Sequence, residues 1–418
     1  MLSVPAIPVI VLLVVFLGIA IRKVGRFSFR IWQVMLLGAI AVLMTGQISP
    51  LSALRAISLD VMLFLFGMFV VGVALNESGE LLVLSNRICR RAGNTGRLLL
   101  LLVFSFGFLS ALLMNDTLAI IGTPLCLYLA RTNRVSPKLL LIALAFSITT
   151  GSVMSPIGNP QNLLVAVRGP VESPFVTFAH YLAVPTVLCL VLVYLFLRVA
   201  FRGEPWSAGI RLCHEEVKDA RLALLSRVSL GILVTLIVVK VAGFFIGADT
   251  PVSLPAIALL ATLPILALSE RRVEVVKKVD WETLVFFAAL FVLMESVWES
   301  GFLQSFIGLF GSGITTIPVI LGLSVLVSQF VSNVPWVALY LPVITGTGRS
   351  TAALMALAAG STIAGNLSIL GAASNVIIIQ NAEKEGETLT FWEFVKIGLP
   401  LTLVQVLVYW FFLGSRPI

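Results

Sequence analysis

The chain has 418 residues, of which 59% are hydrophobic and 11% charged, with a net charge of +8 and a mean hydropathy of +1.08. Ordinary soluble domains carry about 25% charged residues, and a soluble fold of this length could not hide so much apolar surface. The basic excess does not mark a nucleic-acid binder, because Lys and Arg fall in short clusters between apolar runs rather than on one face or tail.

Runs of about 20 apolar residues, enough to cross roughly 30 Å of hydrocarbon, recur along the chain. They must be helices, since lipid offers no partner to an open backbone. The first run, 6–21, has no basic residue before it and no small-residue cleavage pattern after it, and Arg22, Lys23, Arg26 and Arg30 follow; it reads as a retained span. Further spans are predicted near 31–47, 58–75, 177–199, 228–247, 252–269, 281–298 and 391–413. Four less regular stretches lie among them. Two, 98–131 and 316–346, carry a polar tip in the middle; two others, 138–166 and 351–382, are helical stretches interrupted by glycine and asparagine. The fold class expected is an all-α integral membrane protein with about 10 spans, two re-entrant hairpins and two discontinuous helices.

The Arg22–Arg30 group, Arg87/Arg90/Arg91/Arg97, Arg131/Arg134/Lys138, Arg198 through Arg227 and Arg271/Arg272/Lys277/Lys278 all fall on one side if the polar-tipped stretches return to the side they entered. The other side holds Arg55, Arg168, Arg349 and Arg416. The positive-inside rule then puts the basic loops in the cytoplasm and both termini outside a cell membrane. Residues 204–227, with Glu204, Pro205, Glu215, Glu216, Lys218 and Asp219, form the longest cytoplasmic connection and divide 1–203 from 228–418.

Those halves repeat. Phe64 to Val70 ending in Glu77-Ser78-Gly79 aligns with Phe286 to Val292 ending in Glu299-Ser300-Gly301, each glycine expected to stop a helix. Asn115 with Pro124 nine residues on matches Asn333 with Pro342. Ser155, Gly158 and Asn162 match Ser368, Gly371 and Asn375 at one spacing. Each half has five net crossings, an odd number, so the second copy enters the membrane from the opposite side: an inverted-topology repeat.

The chemistry gathers at the tips and interruptions. Leu98 to Leu113 is sixteen residues, about 24 Å as a helix, and Met114-Asn115-Asp116-Thr117 follows at once. The alternatives are two full spans joined outside or a re-entrant hairpin; length and the matching Ser332-Asn333-Val334-Pro335 favour the hairpin. Asp at the centre of a membrane helix costs about 2.5–3.5 kcal/mol, which makes Asp116 a candidate for binding H⁺ or Na⁺; the competing role is capping the second hairpin helix. Pro156 and Pro160 remove donors from the first interruption. Freed carbonyls would be costly in lipid, so both interruptions should line an enclosed cavity, where helix N-termini suit an anion and carbonyl, Asn and Ser oxygens suit Na⁺. The candidate binding residues are Asn115, Asp116, Thr117, Gly158, Asn159, Asn162, Ser332, Asn333, Gly365, Asn366, Gly371, Ser374 and Asn375, with Na⁺ considered at Asn115, Gly158, Asn333 and Gly371 and a proton relay at Asp116 and Glu295. Lys240 is expected to snorkel or pair within the scaffold.

Cys89, Cys126, Cys189 and Cys213 show no CxxC spacing, and His180 and His214 are placed in or next to loops, so neither a metal site nor another cofactor is expected. No HExxH or GxSxG motif points to an enzyme. The missing nucleotide-binding loop argues against intrinsic ATP-driven pumping but leaves open a separate ATPase subunit.

At Asn115-Asp116-Thr117 with Pro124, Gly158-Asn159-Pro160-Gln161-Asn162, Ser332-Asn333-Val334-Pro335 and the Ala364–Asn375 run, the sequence resembles the ion transporter superfamily, in its branch of arsenite efflux permeases, citrate-type permeases and related anion permeases. The resemblance implies an elevator-type carrier of a small inorganic or organic anion, its hairpins and broken helices moving against a bilayer-embedded scaffold that often forms a homodimer. Dicarboxylate carriers of that superfamily have Ser-Asn-Thr at both tips; the Asn-Asp tip here is closer to arsenite permeases, where proton antiport is the expected coupling. Sodium-proton exchange is the alternative the same architecture carries.

Overall fold

The computed structural model describes residues 6–21, 23–24, 27–28, 31–80, 83, 91–209, 219–247, 252–302, 311–346, 348 and 350–414. Arg22, Arg26, Arg30, Arg87, Arg90, Arg349, Arg416, Cys89, Cys213, His214, Glu215, Glu216 and Lys218 lie outside the described residues, as does the side chain of Lys23.

Among the described residues the chain is helical apart from a two-residue ladder pairing Lys23–Val24 with Phe27–Ser28. The first half gives α1 (Ala6–Ile21), α2 (Ile31–Met44), α3 (Pro50–Ala56), α4 (Leu59–Ser78), α5 (Thr95–Leu112), α6 (Asn115–Asn133), α7 (Pro137–Ser152), α8 (Pro160–Arg168) and α9 (Pro174–Ala200). The second gives α10 (Ala220–Phe245), α11 (Leu254–Leu268), α12 (Arg272–Lys277), α13 (Trp281–Glu299), α14 (Ile317–Val331), α15 (Asn333–Gly346), α16 (Thr351–Leu367), α17 (Ala373–Lys384) and α18 (Phe391–Gly414). Helices α4, α5, α9, α10, α13 and α18 are long and apolar enough to cross a membrane by length and composition. Large apolar side chains such as Val199, Phe245 and Phe411 stay exposed on them, the surface a lipid solvent requires. The chain is a multi-pass integral membrane protein.

Caps explain where the helices depart from the predicted spans. The second apolar run ends at Met44 rather than 47, and Ser49 then caps the separate α3, its Oγ accepting the Ser52 N–H at 3.0 Å with Pro50 behind it. Asp219 accepts the Leu222 N–H at 2.9 Å, so α10 begins inside the stretch read as a loop connection to 227. The start of that connection is structural too: the carbonyls of Ala208 and Trp206 accept the N–H groups of Thr95 and Gly96, satisfying the first turn of α5. With Asn94 as its cap, α5 reaches 18 residues. At that length α5 is long enough to cross a membrane, so its length alone does not make it a hairpin arm; the matching α14 has 15 residues. His180 lies inside α9, edge-on to Tyr181, and not in a loop. The glycines expected to stop helices adopt positive φ, 77° at Gly79 and 74° at Gly301.

Packing is densest within two groups, which meet where α1 packs on α14 and α4 on α8. One joins α5 with α7, α6 with α7 and α17, α14 with α16, α15 with α8 and α16, and α18 with α9 and α16. The other joins α4 with α10 and α11, α10 with α11, and α13 with α2 and α3. Ion pairs among the described residues respect this division. Arg131–Glu385 and Lys138–Glu393 lie within the first group, while Arg227–Glu80, Arg221–Glu270 and the Arg271 cluster with Glu77, Asp219, Glu274 and Lys278 lie within the second. Lys240 pairs within the second group, its ammonium donating to the Val252 carbonyl at 2.8 Å.

Candidate functional site

Helix α7 ends at Ser152 and α8 begins at Pro160; Pro156 and Pro160 lack the N–H groups that continuous helix would need. The carbonyls left free turn inward onto one side chain. Asn162 Nδ2 donates to the carbonyls of Ser152 (3.0 Å), Val153 (3.2 Å) and Ser155 (3.0 Å). Asn159 caps α8, its Oδ1 accepting the Asn162 N–H at 2.8 Å. A side chain at Gly158 would stand 2.7 Å from the Ser110 and Ser152 carbonyls, so only glycine lets the break approach the hairpin this closely. The Asn115 N–H at the tip donates to the Gly158 carbonyl at 3.0 Å, joining tip to break.

The second break follows the same plan. Asn375 Nδ2 donates to the carbonyls of Gly365 (2.6 Å) and Ser368 (3.3 Å). These acceptors stand ten and seven residues before their asparagine, as Ser152 and Ser155 stand before Asn162. At Gly371 a side chain would meet the Ala364 carbonyl at 2.4 Å. Gln329, four residues before the tip residue Asn333, donates to the Ala364 carbonyl at 2.8 Å and accepts from Ser368 Oγ at 2.8 Å. At the tip itself Ser332 has φ 71° and ψ 160°, a conformation favouring glycine that costs about 1–3 kcal/mol; Met114, at the other tip, is extended.

The breaks meet in the core. Thr362 of α16 donates to Asn162 Oδ1 at 3.1 Å and accepts from Asn159 and Gln161, while Asn366 Nδ2 donates to Thr150 Oγ1 (3.0 Å) and Gln405 Oε1 (2.9 Å). Thr362, Gln329 and Gln405 were not singled out from the sequence. Their signal is a polar side chain inside a mostly apolar helix, which in a membrane is costly unless partnered.

Several buried oxygens have no partner among the described residues: Oδ1 of Asn115, Asn333, Asn366 and Asn375, and Oγ of Ser374. They are candidate ligands for a cation or for donors on a bound molecule. Asp116 is half-buried and makes no hydrogen bond or ion pair among the described residues. It is not the cap of α6, a position held by Met114. Thr117 packs against Gly72 of α4, carrying the tip to the seam between the packing groups. Glu295 is not brought together with the tips. It lines a cavity of about 360 Å³ with Ser52, Arg55, Ala56, Arg168 and Glu299. Arg168 crosses the seam there, donating to the Ala56 carbonyl at 2.7 Å with its guanidinium 4.2 Å from the Phe291 ring centroid.

The citrate transporter family model matches residues 10–353. The chain belongs to the citrate transporter family. Its relatives include an uncharacterized transporter of Mycobacterium tuberculosis, 27% identical over 85% of this chain and 86% of that protein. The silicon efflux transporter LSI3 of Oryza sativa is 26% identical over 94% of this chain and 93% of its own length. Among solved structures, the YdaH transporter of Alcanivorax borkumensis superposes with a TM-score of 0.58 at 16% identity, covering 98% of both chains, a likeness of fold. This citrate transporter family member is a membrane transporter and not an enzyme.

Proposed function

We propose that the protein is a secondary active transporter of a small anion or oxyacid, arsenite-, silicate- or carboxylate-like, coupled to H⁺ or Na⁺, with its site between the hairpin tips and the helix breaks. The observation that carries this reading is the pair of asparagine clasps. Asn162 and Asn375 hold carbonyls at the same two spacings, which supports an inverted repeat of residues 1–203 and 228–418 around one site. The two packing groups, each with its own ion pairs, support an elevator in which α5–α9 and α14–α18 move against α1–α4 and α10–α13. A cytoplasmic membrane location with both termini outside, and a homodimer through the scaffold, complete the reading.

Purified protein in liposomes tests it. Uptake of arsenite, silicic acid and citrate is followed with a pH or Na⁺ gradient imposed. Accumulation of at least one of them beyond equilibrium, collapsing when the gradient is dissipated, is the expected result; gradient-independent traces for all three would overturn it. Sodium-proton antiport is the second reading, favoured by the unpartnered Asp116 carboxylate. Dequenching of a pH dye on adding Na⁺ or Li⁺ without any anion is its signature.

A further inference from the structure

The two breaks differ at their helix starts. In the first, Asn159 occupies the cap of α8 and takes the Asn162 N–H, so a first-turn donor is already spent inside the protein. The second has Ala372 at the cap of α17, extended at φ −147° and ψ 143°, with no side chain to accept anything. Helix α17 is 12 residues long, and its first-turn N–H groups have no side-chain acceptor at the cap. In that turn Ser374 is fully buried with an unpartnered hydroxyl, and Asn375 is buried with an unpartnered Oδ1. Asn333 at the second tip adds a third orphaned oxygen. The tip charges differ in the same sense: Asp116 follows Asn115, whereas Val334 follows Asn333.

We propose that the half-sites divide the work by charge, the open start of α17 with Ser374 binding the anion and the Asn115–Asp116 tip binding the coupling cation. The proposal rests on the transport reading above and assigns its two ligands to different ends of one site. Donors converge on α17: backbone N–H groups at the positive end of a helix dipole and a hydroxyl free to donate. The orphaned Oδ1 atoms of Asn333 and Asn375 are acceptors, so the ligand they suit brings its own O–H. That describes an oxyacid anion or hydroxycarboxylate.

The test is binding of arsenite, silicic acid and citrate to the full chain in lipid nanodiscs, followed by calorimetry and Trp336 fluorescence, with sulfate as a competitor that has oxygens and no O–H. Whichever probe binds the wild type is then titrated into three variants. Ser374→Ala is expected to weaken it roughly tenfold, as loss of a hydrogen bond to a charged group does. Ala372→Ser supplies the missing cap, so it should weaken the probe by about the same factor while leaving the melting temperature equal or higher. Asp116→Asn should flatten the dependence of probe binding on pH or Na⁺. Sulfate should compete at least tenfold more weakly than the probe. If Ala372→Ser and Ser374→Ala fold and bind as the wild type does, or if sulfate competes equally, the assignment is wrong. If no probe binds the wild type or is driven by a gradient, it is the transport reading that fails.

Discussion

The break before α8 and the break before α17 are clasped alike, each by an asparagine holding carbonyls ten and seven residues earlier. Around that shared clasp almost everything polar differs. The first break is closed by three carbonyl bonds, an asparagine cap and the Thr362 bridge; the second is closed by two carbonyl bonds and Gln329, and leaves Ser374 and its helix start open. The comparison separates the bonds that hold an interrupted helix together inside a membrane from the groups left over for a ligand.

Asn162→Ala breaks the comparison hardest. It removes three buried bonds to carbonyls and the contact with Thr362, with an expected loss on the order of 3–5 kcal/mol, whereas Asn375→Ala removes two and should cost about 2–3 kcal/mol. Unfolding of both variants in one detergent gives the order directly; the reverse order would mean the clasps are not comparable. Thr362→Val keeps the shape and removes the bridge between the breaks, for about 1–2 kcal/mol by the same measurement.

Much of this was legible in the sequence, for physical reasons. Pro156, Pro160 and the Gly-Asn runs forbid continuous helix in an apolar stretch, so the breaks announce themselves. Repeat spacing picked out Asn162 and Asn375 as counterparts, though not the carbonyls they hold. Helix starts were harder. Asn94 and Asp219 are polar residues at the edge of polar stretches, and nothing local distinguishes a cap from a loop until its acceptor is seen bonding three residues on. Gln329 and Gln405 each stand in a mostly apolar helix, and their partners on α16 are distant in sequence. Glu295 was legible as an intramembrane acid, but its place beside Arg168 depends on α8 and α13 meeting across the seam.

Outside the bilayer the effects are smaller and sharpen the two-group reading. The Arg271 guanidinium, with Lys278 second, holds the Glu274 carboxyl at about 2, below its ordinary 4.5. A carboxyl depressed in the folded state stabilises fully above its unfolded value, and that contribution is lost as pH falls from 4.5 through 2. The group is exposed, so melting between pH 7 and pH 5 should be unmoved by it. Arg271→Gln should cost about 0–1 kcal/mol, tying the scaffold to itself rather than to the moving group.

The most direct test of the account is gradient-driven uptake by Asp116→Asn in liposomes, using whichever of arsenite, silicic acid and citrate the wild type accumulates. Uphill accumulation should be lost while exchange of labelled for unlabelled substrate across the membrane persists. Accumulation as strong as the wild type's, under the same pH or Na⁺ gradient, would contradict it.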